Sequence, residues 1–152
     1  MGYGVLFPGQ GSQAVGMGAD VFEARYDLLG RSADEILGWP LAAVCGGGPE
    51  EVLTRTDRAQ PALFAVSYAL WEAFRGAVSS PPDGAAGHSL GEYTALAAAG
   101  VIGFADGLRL VAARGAAMAA AATLEPSGMA ALLGADLAAA EALALACREG
   151  GG

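Results

Sequence analysis

The sequence predicts an α/β fold in which a parallel sheet carries flanking helices. Two short runs, at residues 5–7 and 85–88, have the length and the flanking turn residues of buried strands. The segments between and after these runs space their apolar side chains as amphipathic helices do. Strands that alternate with helices favour parallel pairing, because a parallel connection needs a crossover of a dozen or more residues.

The first half of the chain contains one strand and several helical stretches. The apolar run at residues 5–7 ends at Pro8-Gly9, as expected for a strand that enters a loop. Helical patterns follow at 20–29 and 32–37, and Pro49 is expected in the first turn of another helix. A longer helix is predicted to begin at Pro61 and to run to about residue 74.

The second half begins with the weaker strand at 85–88, which has no β-branched residue. From Ser89 the pattern is helical to about residue 99, and Gly100 is expected to end the helix. The remaining predictions are a helix capped by Asp106, a strand at 129–133, and a last helix capped by Asp136 that ends near residue 148.

Charge and composition exclude several classes of function. The net charge is −8, and all eight basic residues are arginine. The chain lacks the basic stripe of a nucleic-acid-binding protein, so no nucleic-acid partner is expected. Without lysine it has neither a P-loop lysine nor a Schiff-base lysine.

The same inventory predicts no metal and no membrane segment. One histidine and two cysteines outside any Cys-x-x-Cys spacing make a zinc site unexpected. The longest Ala-rich stretch, residues 111–124, is too short to cross a bilayer and contains Arg114. The first residues lack the basic region of a signal peptide, so we expect a cytoplasmic protein.

Gly87-His88-Ser89-Leu90-Gly91 matches the Gly-x-Ser-x-Gly pattern of a nucleophile elbow. A serine on a tight strand-to-helix turn presents an exposed hydroxyl, and small neighbours allow the turn. The next N–H, that of Leu90, lies at a helix N-terminus and can stabilise an oxyanion. In a chain with 24 glycines, the pattern alone also fits an ordinary glycine-rich turn.

Other candidate residues have competing interpretations. Gly9-x-Gly11-x-x-Ala14 resembles a dinucleotide fingerprint, although Pro8 interrupts the step from strand to loop. Arg114 and Arg109 flank the two edges of the apolar stripe of one helix, so periodicity alone cannot choose between them. His88 directly precedes Ser89, and adjacent side chains on a turn rarely meet as base and nucleophile, so a structural role is expected.

Five segments of the chain carry a more specific signal: Phe7-Pro8-Gly9-Gln10-Gly11-Ser12-Gln13, Gln60-Pro61-Ala62-Leu63, residues 87–96, Arg114-Gly115 with Met118, and residues 128–134. In content and order they resemble the malonyl-CoA:acyl-carrier-protein transacylases, and they cover nearly the whole chain. The resemblance implies a hydrolase-like core with Ser89 at the end of a central parallel strand. It also implies that a small ferredoxin-like subdomain begins near residue 125.

The resemblance implies a role for each site residue. Ser89 carries the malonyl group as an ester, and Gln10 with the Leu90 N–H forms the oxyanion hole. Arg114 binds the malonyl carboxylate, with Gln10 beside it. The supporting residues are Gly87, His88, Gly91 and Gln60. Substrate and partner are malonyl-CoA and acyl carrier protein, with no cofactor beyond the partner's phosphopantetheine.

The family supplies a general-base histidine downstream of the small subdomain, whereas this chain has no histidine after His88. We therefore expect a truncated product or half of a split protein, with residues 1–124 from the core and 125–152 from the start of the subdomain. Such a chain is expected to turn over little by itself. A polyketide-synthase acyltransferase, a serine hydrolase such as a thioesterase, and a non-catalytic remnant stay open as alternatives.

Overall fold

A computed structural model describes residues 2–124 and 132–150 of the chain. Its architecture is α/β, as predicted. Strand β1 (Gly4–Phe7) pairs in parallel with β2 (Gly84–Gly87), and Phe7 lies opposite Gly87. The strands end level with each other, so the loops that follow them meet at one edge of the sheet.

Helices fill the crossover between the strands and the segment after β2. The crossover contains α1 (Ala19–Phe22), α2 (Tyr26–Leu29), α3 (Arg31–Leu37), α4 (Leu41–Gly47), α5 (Glu50–Leu53) and α6 (Thr56–Ala77). After β2 come α7 (Gly91–Ala98), α8 (Phe104–Leu124) and α9 (Leu137–Glu149).

Helix α6 is the centre of the core. Ten of its residues are buried, and helix α8 packs along it so closely that a Cβ on Gly115 would lie 2.8 Å from the Thr56 carbonyl oxygen. On the sheet side, Phe7 of β1 packs edge-on against Trp71, with ring centroids 6.3 Å apart. Helix α9 by contrast has no buried residue.

Tertiary packing explains where the long helix starts. The sequence predicts that Pro61 opens this helix, but α6 begins five residues earlier, at Thr56, and Pro61 lies inside it. Proline in a helix interior removes one backbone hydrogen bond. Here the first turn packs against Gly115 of α8, and Pro61 itself is buried. Tertiary contact therefore outweighs the local signal.

Two further helix predictions need correction. The stretch at 20–29 is divided into α1 and α2, with Arg25 at φ −121°. The Arg25 guanidinium binds Asp27 two residues away, at 2.9 and 2.8 Å, and residues so spaced do not face each other on a helix. Asp106 lies within the first turn of α8, where it pairs with Arg109 and is not the cap.

Other boundaries agree with the sequence or lie outside the described residues. Gly100 has φ +75°, and its N–H and that of Val101 bond to Ala97 and Leu96, which completes a Schellman motif. The Asp136 carboxylate accepts from the Ala139 N–H at 2.8 Å, as a cap does. Of the predicted strand at 129–133, residues 129–131 lie outside the described part, and the two that follow are not in a strand. The ferredoxin-like subdomain stays a prediction.

Candidate functional site

The turn between β2 and α7 holds Ser89 in a strained backbone conformation. Its φ is +52°, and it is the one non-glycine with positive φ in the described residues. The His88 N–H extends the sheet by donating to the Phe7 carbonyl at 3.1 Å, and the Gly91 N–H donates back to the His88 carbonyl at 2.9 Å. A left-handed non-glycine residue costs free energy and is typical of functional turns.

Close backbone contacts explain why the motif has glycine at its first and last positions. A Cβ on Gly87 would overlap the backbone of Gly91, and one on Gly91 would overlap the carbonyl of Phe7. All of these neighbours are backbone atoms, which cannot swing aside. The turn therefore passes so close to the loop after β1 that both positions must lack a side chain. Because of this approach, Ser89 and the loop at Gln10 lie at the same edge of the sheet.

Leu90 anchors the turn and leaves its backbone N–H available. Its side chain is 1% exposed and belongs to the core cluster. Within residues 2–124 and 132–150, the Leu90 N–H makes no hydrogen bond. It lies at the N-terminus of α7, where the helix dipole and unpaired N–H groups favour negative charge.

Arg114 extends from α8 to the Ser89 hydroxyl. Its Nη2 donates to Ser89 Oγ at 3.0 Å, and its Nη1 donates to Gln60 Oε1 at 2.5 Å. Gln60 is fully buried on α6, and its amide nitrogen lies 3.2 Å from the sulfur of Met118. A buried amide with three contacts holds the guanidinium in one orientation.

The two arginines that the sequence could not separate have different surroundings. Arg109 pairs with Asp106 at 2.9 Å on the exposed side of α8. Arg114 has no carboxylate within ion-pair distance among the described residues, and its partners there are neutral. The structure thus brings Arg114 to Ser89 and leaves its positive charge uncompensated in the described part of the chain.

Gln10 joins the same network through its side chain. Its Nε2 donates to Thr56 Oγ1 at 3.1 Å, and its Oε1 lies 3.5 Å from Gln60 Nε2. The Gln10 backbone N–H makes no hydrogen bond with any described residue. With its side chain held by α6, Gln10 has its backbone N–H free to bind an anion.

Sequence reasoning gave no role to two residues that complete the network. The Tyr93 ring lies beside Arg114, with 5.8 Å between guanidinium carbon and ring centroid, in cation–π range. Thr56 binds Gln10, and it precedes Gln60 by four residues, the spacing of one helix face. Thr56 would have been found if the helix had been predicted to start before Pro61.

His88 is exposed, and its side chain makes no hydrogen bond with the described residues, including Ser89. Its ring packs against the loop after β1, where a Cβ on Gly9 would lie 2.6 Å from His88 Nδ1. This contact fits the structural role that the sequence predicts. The only described side chain that hydrogen-bonds to Ser89 Oγ is that of Arg114, which cannot act as a base.

The described residues also bear on metal binding and on membrane insertion. No group of three or more histidine, cysteine, aspartate or glutamate side chains there is placed to share a metal ion. None of the helices in that part combines the length and hydropathy that a membrane crossing requires.

Comparison with known proteins identifies the family. Residues 5–150 match the family described as acyl transferase domain. The chain is 44% identical over 150 residues to the malonyl CoA-acyl carrier protein transacylase of Salmonella typhimurium, covering 97% of this chain and 47% of that protein. It is also 51% identical over 146 residues to polyketide biosynthesis protein ThaF of Burkholderia thailandensis, covering 95% of this chain and 12% of that protein.

Solved structures lead to the same family. The malonyl CoA-acyl carrier protein transacylase from Burkholderia pseudomallei superposes with a TM-score of 0.76 at 45% identity, over 80% of this chain and 41% of that one. A malonyl-transacylase solved with a type II PKS acyl-carrier protein superposes with a TM-score of 0.73 at 44% identity, over 80% of this chain and 40% of that one. The chain spans less than half the length of these relatives, and it belongs to the acyl transferase domain family.

Proposed function

We propose that this chain carries the nucleophile and the carboxylate-binding part of an S-malonyltransferase. The enzyme moves a malonyl group from malonyl-CoA to the phosphopantetheine thiol of acyl carrier protein, in fatty acid biosynthesis. Ser89 holds the malonyl group as an ester between the two half-reactions. The names of the relatives support the substrate and the partner.

The observation that carries this proposal is the pairing of Arg114 with Ser89. The guanidinium lies 3.0 Å from Oγ, fixed by a buried amide and without a described carboxylate partner. In a malonyl ester the free carboxylate carbon is three bonds from Oγ. An arginine at this distance fits such a carboxylate with two parallel hydrogen bonds. An acetyl ester has no free carboxylate for Arg114 to bind.

The chemistry follows from the atoms around Ser89. Oγ attacks the thioester carbon, and the oxyanion that forms is stabilised by the backbone N–H groups of Leu90 and Gln10. The C–S bond then breaks, and the CoA thiolate leaves with the proton that Oγ gave up. In the second half-reaction the phosphopantetheine thiol attacks the ester and Ser89 regains its proton.

A serine hydroxyl needs a general base, and this chain's sole histidine, His88, makes no contact with Oγ. We propose that the base comes from the part of the fold that the relatives carry beyond the matched half. Residues 1–124 are then part of the core and 125–152 begin the ferredoxin-like subdomain. The chain works in the cytoplasm without a metal or a resident cofactor.

Covalent labelling tests the proposal. The chain is incubated with excess malonyl-CoA and the adduct is located by peptide mass spectrometry. We expect a slow malonyl label on Ser89, because oxyanion stabilisation without a base still gives about 10³–10⁴-fold over water. Ser89→Ala should abolish the label, and a label that persists in this variant would contradict the assignment.

Arg114→Ala separates carboxylate binding from nucleophilicity. Hydrogen bonds to charged groups contribute about 1.5–3 kcal/mol, so malonyl labelling should fall tenfold or more while acetyl labelling from acetyl-CoA changes little. Arg109→Ala is the matched control, because that side chain pairs with Asp106 on the surface of the same helix. An unchanged malonyl-to-acetyl ratio in Arg114→Ala would rule out the proposed role.

A polyketide pathway is the second candidate, and the 51% identity to protein ThaF favours it. Both pathways use the same ester chemistry, so the site cannot separate them. The preferred acceptor separates the two pathways. Malonylated protein is mixed with a carrier protein from each pathway in turn, and the rates of malonyl loss from Ser89 are compared. Faster transfer to the fatty-acid carrier supports the first candidate. The identity of residues 5–150 as an acyl transferase domain disfavours a hydrolase.

A further inference from the structure

A hydroxyl at the start of α6 holds the loop that follows β1. Thr56 is the first residue of this helix, and its Oγ1 accepts a hydrogen bond from Gln10 Nε2 at 3.1 Å. Gln60, one helical turn later, places its Nε2 3.5 Å from Gln10 Oε1, which is the longer and weaker contact. The hydroxyl of Thr56 is therefore the main anchor of the Gln10 side chain among the described residues.

Packing of the helices fixes the place of this anchor. A Cβ on Gly115 of α8 would lie 2.8 Å from the Thr56 carbonyl oxygen, so the two helices meet through backbone atoms at this point. Thr56 is half-buried there, and a β-branched residue in a helix has few side-chain rotamers. The position of the Thr56 hydroxyl is thus set by the core of the protein and not by solvent.

The other hydrogen bonds around Gln10 lie within the loop itself. The Gly11 N–H donates to Gln13 Oε1 and the Ser12 hydroxyl donates to the Gly9 carbonyl, both at 2.8 Å. Gly11 has φ +108° and open space where a Cβ would lie, so packing does not hold this side of the turn. The placement of the Gln10 backbone relative to α6 therefore depends on what its side chain binds.

We infer that Thr56 is a positioning residue of the oxyanion hole and that it acts through Gln10. By holding the Gln10 side chain on α6, the Thr56 hydroxyl keeps the Gln10 backbone N–H where it binds the oxyanion that forms when Ser89 attacks the thioester. The inference rests on the proposed function, in which this N–H and that of Leu90 stabilise the oxyanion.

This role has a signature that separates it from carboxylate binding. The described hydrogen bonds of Arg114 go to Gln60 and Ser89, so its orientation does not depend on Thr56. The oxyanion forms on the thioester carbonyl, which malonyl-CoA and acetyl-CoA share, whereas Arg114 acts on the carboxylate that malonyl-CoA alone carries. Loss of the Thr56 hydroxyl should therefore slow labelling by both donors equally and leave their ratio unchanged.

Thr56→Val tests the inference, because valine keeps the shape of threonine without the hydroxyl. The full chain is incubated with increasing malonyl-CoA or acetyl-CoA, and the maximal labelling rate of Ser89 and the half-saturating concentration are measured. Complete loss of an oxyanion-hole donor costs about 10²–10³ in rate, so its misplacement should lower the maximal rate about tenfold with both donors. The half-saturating concentration should not change, because the lost interaction is made only in the transition state.

Three further variants complete the labelling experiment. Thr56→Ser restores a hydroxyl and should recover the original rate, whereas Thr56→Ala should be as slow as Thr56→Val. Thr123→Val is the matched control, because Thr123 is an exposed residue near the end of α8 whose hydroxyl donates to Ala120 of its own helix. This control should be labelled as fast as the original chain, and circular dichroism verifies that each variant folds.

Hydrogen exchange gives a readout that needs no labelling. In NMR spectra of the chain, the side-chain amide protons of Gln10 should exchange with solvent several-fold faster in Thr56→Val than in the original chain and in Thr56→Ser. Equal exchange in all three would overturn the inference, as would slower labelling with malonyl-CoA alone. If Ser89 of the original chain takes no label, the proposed function fails, whereas the exchange of Gln10 still decides whether Thr56 positions it.

Discussion

Replacing Ser89 by glycine should leave the folded chain more stable than replacing it by alanine, because the turn holds this residue at φ +52°. A left-handed conformation costs a non-glycine residue about 1–2 kcal/mol. Glycine removes that cost, but it also raises the conformational entropy of the unfolded chain, which destabilises the folded state by about 0.4–1 kcal/mol. The free energy of unfolding should therefore be about 0.5–1 kcal/mol higher for Ser89→Gly than for Ser89→Ala.

The comparison with alanine isolates the backbone. Both variants lose the hydrogen bond from Arg114 to Oγ, so that loss cancels in the difference. Urea unfolding followed by circular dichroism gives the two free energies, and the melting temperatures should differ by about 1–4 °C for a chain of this size. Neither variant can form the acyl ester.

A control at Ser32, in the first turn of α3, should give the opposite sign. That residue is exposed and helical, so glycine there should be about 1 kcal/mol less stable than alanine. Equal stabilities of the two Ser89 variants, or a less stable glycine variant, would refute the claim that the nucleophile turn stores strain.

Two further predictions concern packing and burial. Gly91→Ala should lower the free energy of unfolding by about 3 kcal/mol, because the added Cβ would overlap the Phe7 carbonyl. Gly46 lies in α4 with open space around it, so Gly46→Ala should raise the free energy of unfolding by about 0.5–1 kcal/mol in the same urea assay. Burial raises the pKa of the Cys45 thiol from 9.0 to about 12, so the unfolded state loses that proton first and stability should fall as pH rises from about 9 to 12. In Cys45→Ala that part of the pH dependence should disappear. If a thiol titration of the native chain below pH 9 detected Cys45 as readily as the exposed Cys147, the prediction would be wrong.

The glycine spacing around Ser89 was readable from the sequence, because a turn that reverses from strand to helix within five residues needs small neighbours. The steric cause is local only at Gly87, where a Cβ would overlap Gly91 of the same turn, whereas a Cβ on Gly91 would overlap Phe7 at the end of β1. The helix stop at Gly100 and the cap at Asp136 were also predictable, since each depends on residues within a few positions.

The network that makes the turn a site could not be read from spacing alone. Arg114 and Arg109 flank one apolar stripe, and only the packing of α8 on α6 brings the first to Ser89 and leaves the second paired with Asp106. Thr56 became visible only once α6 was seen to start before Pro61. The contacts of Arg114 with Ser89 and Gln60, and of Thr56 with Gln10, join residues 25 to 54 positions apart, and helix propensity carries no information about them.

The sequence by itself therefore determined the α/β class, the nucleophile turn and, through five segments in order, the family resemblance that the match over residues 5–150 confirmed. The tertiary structure alone decided which arginine faces the serine and where α6 begins. The physical reason is the range of the forces: turns and caps are set by bonds between near neighbours, whereas helix starts and side-chain partners are set by burial against distant elements.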